Sequence, residues 1–299
     1  MTSKPDRILL TFWGTRGSIA TPGRMTEKYG GNTACISLEF KDQMVILDAG
    51  TGIRNLGIEQ MTKGMDRNNP FTFHLFLSHT HWDHIQGLPF FLPAYVKDCR
   101  ITIYGSPKKE RFLESVLKDQ MDQDYFPVSM SAFEADMRIE EITKDVIHLG
   151  PIDVFWEEQV CHPGGSVSYC FQIQGKKIVY ATDVELDRMA DAEPEKGVEG
   201  DLYQAYMDFI READLLIADG QFTAEEYAIS QGWGHSSHPV LLDTAYRSRV
   251  KQVAVFHHDP RHSDQLLDQL WMENRSRYRK GEHKMKVFWA REGLTVSVD

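Results

Sequence analysis

The segment Ser78-His79-Thr80-His81-Trp82-Asp83-His84 places four metal-ligand side chains within six positions, directly after the apolar run Phe73 to Leu77. Imidazole and carboxylate at that density form the donor set of a divalent cation site. If the run is a buried strand, the loop leaves its carboxyl end, where α/β sheets present their ligands. His79 and His81 point one way while Asp83 and His84 reach another, so one short loop can serve two cations, provided other loops close each shell. Further donors follow three other strand-like runs: His162 in Cys161-His162-Pro163-Gly164, Asp183 after Ile178 to Thr182, and His257 in His257-His258-Asp259. His79, His81 and His162 are expected to hold one ion and Asp83, His84 and His257 the other, with the Asp183 carboxylate bridging them. This donor set suits two zinc ions, with manganese or iron as alternatives.

Positioning such distant residues requires a sheet-rich scaffold. Strand-like runs occur at Ile8 to Trp13, Ala34 to Phe40, Met44 to Leu47, Phe73 to Leu77, Ile101 to Tyr104, Ile152 to Trp156, Tyr169 to Ile173, Lys177 to Ala181, Leu215 to Ala218, Gln252 to Phe256, Met285 to Ala290 and Leu294 to Ser297. Helical periodicity appears at Pro107 to Asp119, Asp201 to Ala213, Pro239 to Arg249 and Asp264 to Lys280, the last opened by Ser263 as an N-cap and closed by Gly281. Trp82 and the stretch Ile85 to Phe91 read as a helix start buried beside the metal loop. Residues Asp119 to Glu141 lack clear periodicity and are expected to form a lid, an edge insertion or, around Tyr125-Phe126-Pro127, a homodimer contact. Asp187 to Gly200, acidic and broken by Pro194 and Gly197, reads as an exposed loop. Thr15 to Thr33 is rich in glycine and proline, as suits a loop that approaches a ligand closely.

No Pro/Ser/Gly-rich linker divides the chain, so a single domain over residues 1–299 is expected, with insertions near 119–141 and 187–200. Cys35, Cys99, Cys161 and Cys170 have no Cys-x-x-Cys spacing and lie in or beside apolar segments, which predicts buried thiols and no disulfide. No apolar run approaches a membrane span and the first residues lack a secretory h-region, which together predict a cytoplasmic protein that does not bind membranes. The net charge of -11 opposes docking of a long nucleic acid, while leaving room for a small anion drawn to a buried dication.

The ordered set Asp48-Ala49-Gly50-Thr51-Gly52, His79-Thr80-His81-Trp82-Asp83-His84, His162, Asp183, Gly234-His235-Ser236-Ser237 and Phe256-His257 resembles the metallo-β-lactamase fold hydrolases, and among them the phosphodiesterase branch that contains ribonuclease Z. The resemblance spans nearly the whole chain. It implies an α/β (α+β) fold, a four-layer αββα sandwich with metals at one end of its sheets. It also implies that Asp219, in Leu216 to Phe222, pairs with His235. A carboxylate that orients an imidazole and raises its pKa keeps a proton ready for a departing alkoxide. Gly14-Thr15-Arg16-Gly17-Ser18 and Tyr29-Gly30-Gly31-Asn32-Thr33 look like the N-terminal loop of that branch. Thr15, Arg16 and Asn32 are therefore candidate phosphate contacts, with bracing of the loop as the equal alternative for Arg16. Asp48 is expected to orient a ligating histidine, and His258 to support the site or lie on the surface.

Metal-dependent hydrolysis of a small phosphodiester such as a cyclic nucleotide is the expected activity. Asp83 would both ligate and hold the attacking water, and His235 would protonate the leaving group. The alternatives are tRNA 3′ processing, hydrolysis of a lactone or thioester, and a non-catalytic metal-bound binding protein. The acidic insertions weigh against tRNA, because they offer no counterpart to a basic tRNA-gripping arm.

Overall fold

The computed structural model describes residues 7–63, 71–106, 112–191, 198–279 and 283–299. Two seven-stranded sheets face each other. The first contains β1 (Ile8–Gly14), β2 (Cys35–Phe40), β3 (Gln43–Leu47), β4 (Thr72–Phe76), β5 (Arg100–Gly105) and β6 (Asp136–Glu141). The second contains β7 (Ile147–Leu149), β8 (Ile152–Gln159), β9 (Ser166–Ile173), β10 (Lys176–Ala181), β11 (Leu215–Asp219), β12 (Gln252–Phe256) and β13 (Lys286–Trp289). The last strand, β14 (Thr295–Val298), returns to the first sheet and pairs antiparallel with β1.

Helices cover the outer faces. They are α1 (Ile53–Lys63), α2 (Trp82–Ile85), α3 (Leu113–Asp119), α4 (Leu186–Ala190), α5 (Val198–Ile210), α6 (Ala224–Ala228), α7 (His238–Arg247) and α8 (Asp264–Asn274). Three apolar clusters account for the layering. Leu10, Phe12, Leu38, Val45 and Phe76 meet Val154, Phe171, Tyr180, Ile217 and Phe256 between the sheets. Ile53, Leu56, Phe73, Ile101, Leu113 and Leu117 join α1 and α3 to the first sheet, while Val179, Leu216, Tyr206, Leu241, Leu242 and Leu267 join α5, α7 and α8 to the second. The αββα expectation is met. Each such side chain, removed from water, contributes ~1.5–3 kcal/mol before the entropy of ordering is charged against it.

Strand direction decides where the chemistry lies. β3, β4 and β5 run parallel, as do β10, β11 and β12, and β8 runs alongside them because β9 is antiparallel to both of its neighbours. The segments after Leu47, Phe76, Gln159, Ala181, Asp219 and Phe256 therefore gather at one edge of the sandwich, where an α/β sheet offers unpaired backbone and open space.

Several expectations need revision. The Asp119 to Glu141 stretch ends in β6, an edge strand parallel to β5, so only its first part is irregular. Asp187 to Gly200 is not simply a loop: α4 contains Asp187, whose side chain is buried, and α5 begins at Val198. Helix α1 and strand β7 were not expected. The proposed helix start at Pro107 and stop at Gly281 lie outside the described residues, while Ser263 caps α8 by accepting from Leu266 N–H. Helix α2 buries Asp83, His84 and Ile85, yet Trp82 stands 79% exposed, the reverse of the expected burial. None of the four cysteines, all buried, forms a disulfide.

Candidate metal centre

Backbone geometry at the strand ends turns the donors inward. Asp48, Asp183 and His257, each at or just beyond the end of a strand, adopt positive φ values of 59°, 56° and 59°. Left-handed backbone is costly for residues other than glycine and persists where surrounding structure over-determines it. Here it folds three side chains back over the sheet edge toward one point.

The donors converge as two trios around one carboxylate. His81 Nδ1 lies 2.8 Å from His79 Nε2 and 3.0 Å from His162 Nε2. On the other side, His257 Nε2 lies 3.3 Å from His84 Nε2, with Asp83 Oδ2 3.1 Å and 3.2 Å from the two rings. Asp183 divides its oxygens between them: Oδ2 is 3.5 Å from His79 and 3.6 Å from His162, and Oδ1 is 3.5 Å from His84 and 3.3 Å from His257.

The hydrogen bonds on the far side of each ring test whether cations fit. His79 Nδ1 reaches Ser78 Oγ at 3.0 Å, His162 Nδ1 donates to Gly234 O at 3.0 Å, His84 Nδ1 donates to Asp48 Oδ2 at 2.7 Å, and His257 Nδ1 donates to Gln221 Oε1 at 2.9 Å. Each outward proton leaves an Nε2 lone pair facing inward, beside carboxylate oxygens that also only accept. A buried cluster of acceptors aimed at one another is repulsive unless positive charge lies between them. The residues therefore suit divalent cations.

Electrostatics agree for His79, His81 and His162 and for both carboxylates, while His84 is drawn the other way by the acids around it. Burial, reinforced by neighbouring imidazoles, pushes His79 well below its ordinary value, and burial likewise lowers His162 and takes His81 to about 4, so these rings are neutral and ligand-competent at pH 7. Burial works against the Asp83 and Asp183 carboxylates, yet the surrounding histidines outweigh it and hold both acids well below the usual range. For His84, burial is outweighed by Asp83, Asp183 and Asp48, which raise it.

Beside the cluster, His235 Nδ1 meets Asp219 Oδ2 at 2.7 Å, and the second Asp219 oxygen accepts from Gln221 N–H at 2.9 Å. Burial opposes the imidazolium, but Asp219, by charge and hydrogen bond, prevails with help from Asp183 and Asp83 and lifts His235 to about 9. The ring stacks on His257 with centroids 5.0 Å apart. A cavity of about 400 Å³, lined by Ser18, Thr80, His81, Trp82, Asp83, Asp183 and His235, opens over both the cluster and this pair.

Three supports were not expected. Ser18 N–H donates to Asp83 Oδ2 at 2.7 Å, tying the N-terminal loop to the cluster. Gln221 orients His257; its position in Asp219-Gly220-Gln221-Phe222 was the available signal. Glu185 accepts from Tyr227 OH and from the backbone of Gly232 and Gly234, holding the loop that carries His235. Close approach explains two glycines: a Cβ on Gly17 would lie 2.3 Å from His257 Nδ1, and one on Gly234 (φ 86°) 2.3 Å from His162 Nδ1.

The expected phosphate contacts lie elsewhere. Arg16 is fully buried; its Nε donates to Gly30 O at 2.7 Å and its Nη1 to His262 O at 2.7 Å and Asp259 O at 3.2 Å, so it braces the loop. Thr15 is buried with its hydroxyl on Tyr29 O. Asn32 spends its amide on Glu292 and accepts from Thr51. His258 points away from the cluster, its Nε2 bonded to Ala290 O at 2.7 Å, while Asp48 does bond a ring of the cluster. Asp48 also gathers Ser78 and the Tyr180 hydroxyl.

The family model for the beta-lactamase superfamily domain matches residues 43–258 of the chain. Ribonuclease Z of Picrophilus torridus is 21% identical to it over 97% of this chain and 96% of that protein. Solved structures with the same fold include a diphosphatase of the PhnP family (TM-score 0.66, 16% identity, 97% of each chain) and the short form of human tRNase Z (TM-score 0.64, 18% identity, 97% of this chain and 99% of that one).

Proposed function

The chain belongs to the metallo-β-lactamase superfamily of metal-dependent hydrolases, and on that premise we propose that it hydrolyses a small phosphodiester. One observation carries the reading: His235, bonded to the buried Asp219, sits in the wall of the same cavity as Asp83 and Asp183. His79, His81 and His162 would hold one divalent cation, Asp83, His84 and His257 a second, and Asp183 would touch both. When bound, the cations supply Lewis acidity, readying a water for attack and withdrawing charge from the phosphoryl oxygens.

The protein's own groups supply the rest. Asp83, fixed by the Ser18 N–H, accepts a hydrogen bond from the attacking water and aims it. His235, protonated on both nitrogens, donates its Nδ1–H to Asp219 and delivers the Nε2 proton to the departing alkoxide, which is then released as an alcohol.

The names of the curated relatives favour a second reading, tRNA 3′ processing. Against it stand the net charge of -11 and a cavity mouth that, among the described residues, is lined by no lysine or arginine. The test compares cyclic mononucleotides, bis(p-nitrophenyl) phosphate and pre-tRNA with the metal-loaded protein. Turnover of the small diesters is expected. Faster cleavage of pre-tRNA at low enzyme concentration would reverse the ranking.

A further inference from the structure

Three loops anchored to the cluster each expose a large apolar side chain next in sequence to a residue that touches it. Ile19, 61% exposed, follows Ser18, whose N–H holds Asp83. Trp82, 79% exposed, stands between His81 and Asp83 and lines the cavity mouth. Trp233, 62% exposed, precedes Gly234, whose carbonyl accepts from His162. Solvated apolar side chains grouped around a polar centre mark a contact surface, and an indole gives the largest flat face a side chain can offer.

Charge narrows what that surface meets. Among the described residues the mouth is lined by no lysine or arginine that could meet a second phosphate group, which favours uncharged contact beyond the reacting phosphate. Stacking provides it, because every nucleobase has a π-face. We infer that Trp82 and Trp233 form an aromatic rim that stacks the base of a nucleotide carrying a single phosphodiester group. The inference rests on the phosphodiesterase reading and specifies its substrate class.

The test uses two esters with one leaving group, thymidine 5′-(p-nitrophenyl phosphate) and methyl p-nitrophenyl phosphate, on metal-loaded wild type, W82A, W82F and W233A. Wild type should prefer the nucleoside ester, chiefly through KM. That preference should fall roughly tenfold in W82A and also in W233A, and be largely retained in W82F, in line with the loss of one base stack. Calorimetric binding of adenosine monophosphate against ribose 5-phosphate should show the same ordering without turnover. An unchanged preference in W82A, or none in wild type, overturns the inference. So does a loss of self-association in W82A with no change in preference, which would make the rim a subunit contact. If wild type cleaves neither ester, the phosphodiesterase reading fails, and the calorimetric comparison alone then upholds or overturns the rim.

Discussion

The His235 imidazole, in the wall of the cavity that opens over the clustered histidines, lies 2.7 Å from the buried Asp219 carboxylate, and this pairing separates a proton donor from the ligand set around it. Replacing His235 with alanine should slow hydrolysis of diesters with alkoxide leaving groups by ~10²–10⁴-fold and of nitrophenyl diesters far less, because nitrophenolate leaves without a proton. Equal losses on both substrates would show that His235 supports the cluster structurally.

The same pair sets a pH dependence. Asp219 raises His235, whose protonated form is the active donor, so activity on alkoxide diesters should hold at low and neutral pH and fall as pH rises through the imidazole's pKa. Asp219→Asn removes the main raising influence and should move that alkaline limb to lower pH, as read from kcat/KM profiles. An unmoved limb would assign the ionisation to another group.

Asp183 addresses both trios, whereas His162 and His257 belong to one each. Metal analysis by mass spectrometry should find two equivalents in wild type, a reduced content in H162A or H257A, and the greatest loss in D183A. Activity should fall with content by at least ~100-fold in each. Retention of both ions in D183A would exclude a bridging carboxylate.

Arg16 offers a contrast between bracing and binding. Arg16→Lys should destabilise the fold by about 2–3 kcal/mol in urea titrations, because one ammonium cannot serve carbonyls from Gly30, Asp259 and His262 together. A phosphate-binding arginine would instead raise KM and leave stability alone.

Asp187 gives a separate pH signature in folding. Burial raises it to about 6 despite hydrogen bonds from Ser237 N–H and Oγ. A carboxyl whose folded pKa lies above its unfolded value of 3.8 binds its proton more tightly in the native state. Its stabilising share is complete below that unfolded value and is lost as pH climbs through 6. The Tm difference between wild type and D187N should therefore be more favourable to wild type at pH 4.5 than at pH 7.5. A difference independent of pH would contradict this.

Much of this arrangement was legible in the sequence because buried strands are short apolar runs and the ligands follow them directly. What escaped has physical causes. Helix α1 buries Ile53, Leu56, Gly57 and Gln60 among polar neighbours, too thin a stripe to register as periodicity. Strand β6, Asp-Met-Arg-Ile-Glu-Glu, lies at a sheet edge where neither face is fully covered, so its composition stays charged. Sequence alone divides Arg16 evenly between phosphate contact and loop brace, because its partners Asp259 and His262 are more than 240 positions away. Asp48, Asp183 and His257 are of types that tolerate left-handed backbone better than most, but the preference is too weak to mark those positions in a sequence.

Because the two trios draw on loops from both sheets, bound cations would act as cross-links between early and late parts of the chain. Chelation should then loosen the seam between the halves ahead of either interior, so that resistance to proteases would report on metal supply. Loading would be the last step of maturation, open only to chains whose halves have already docked.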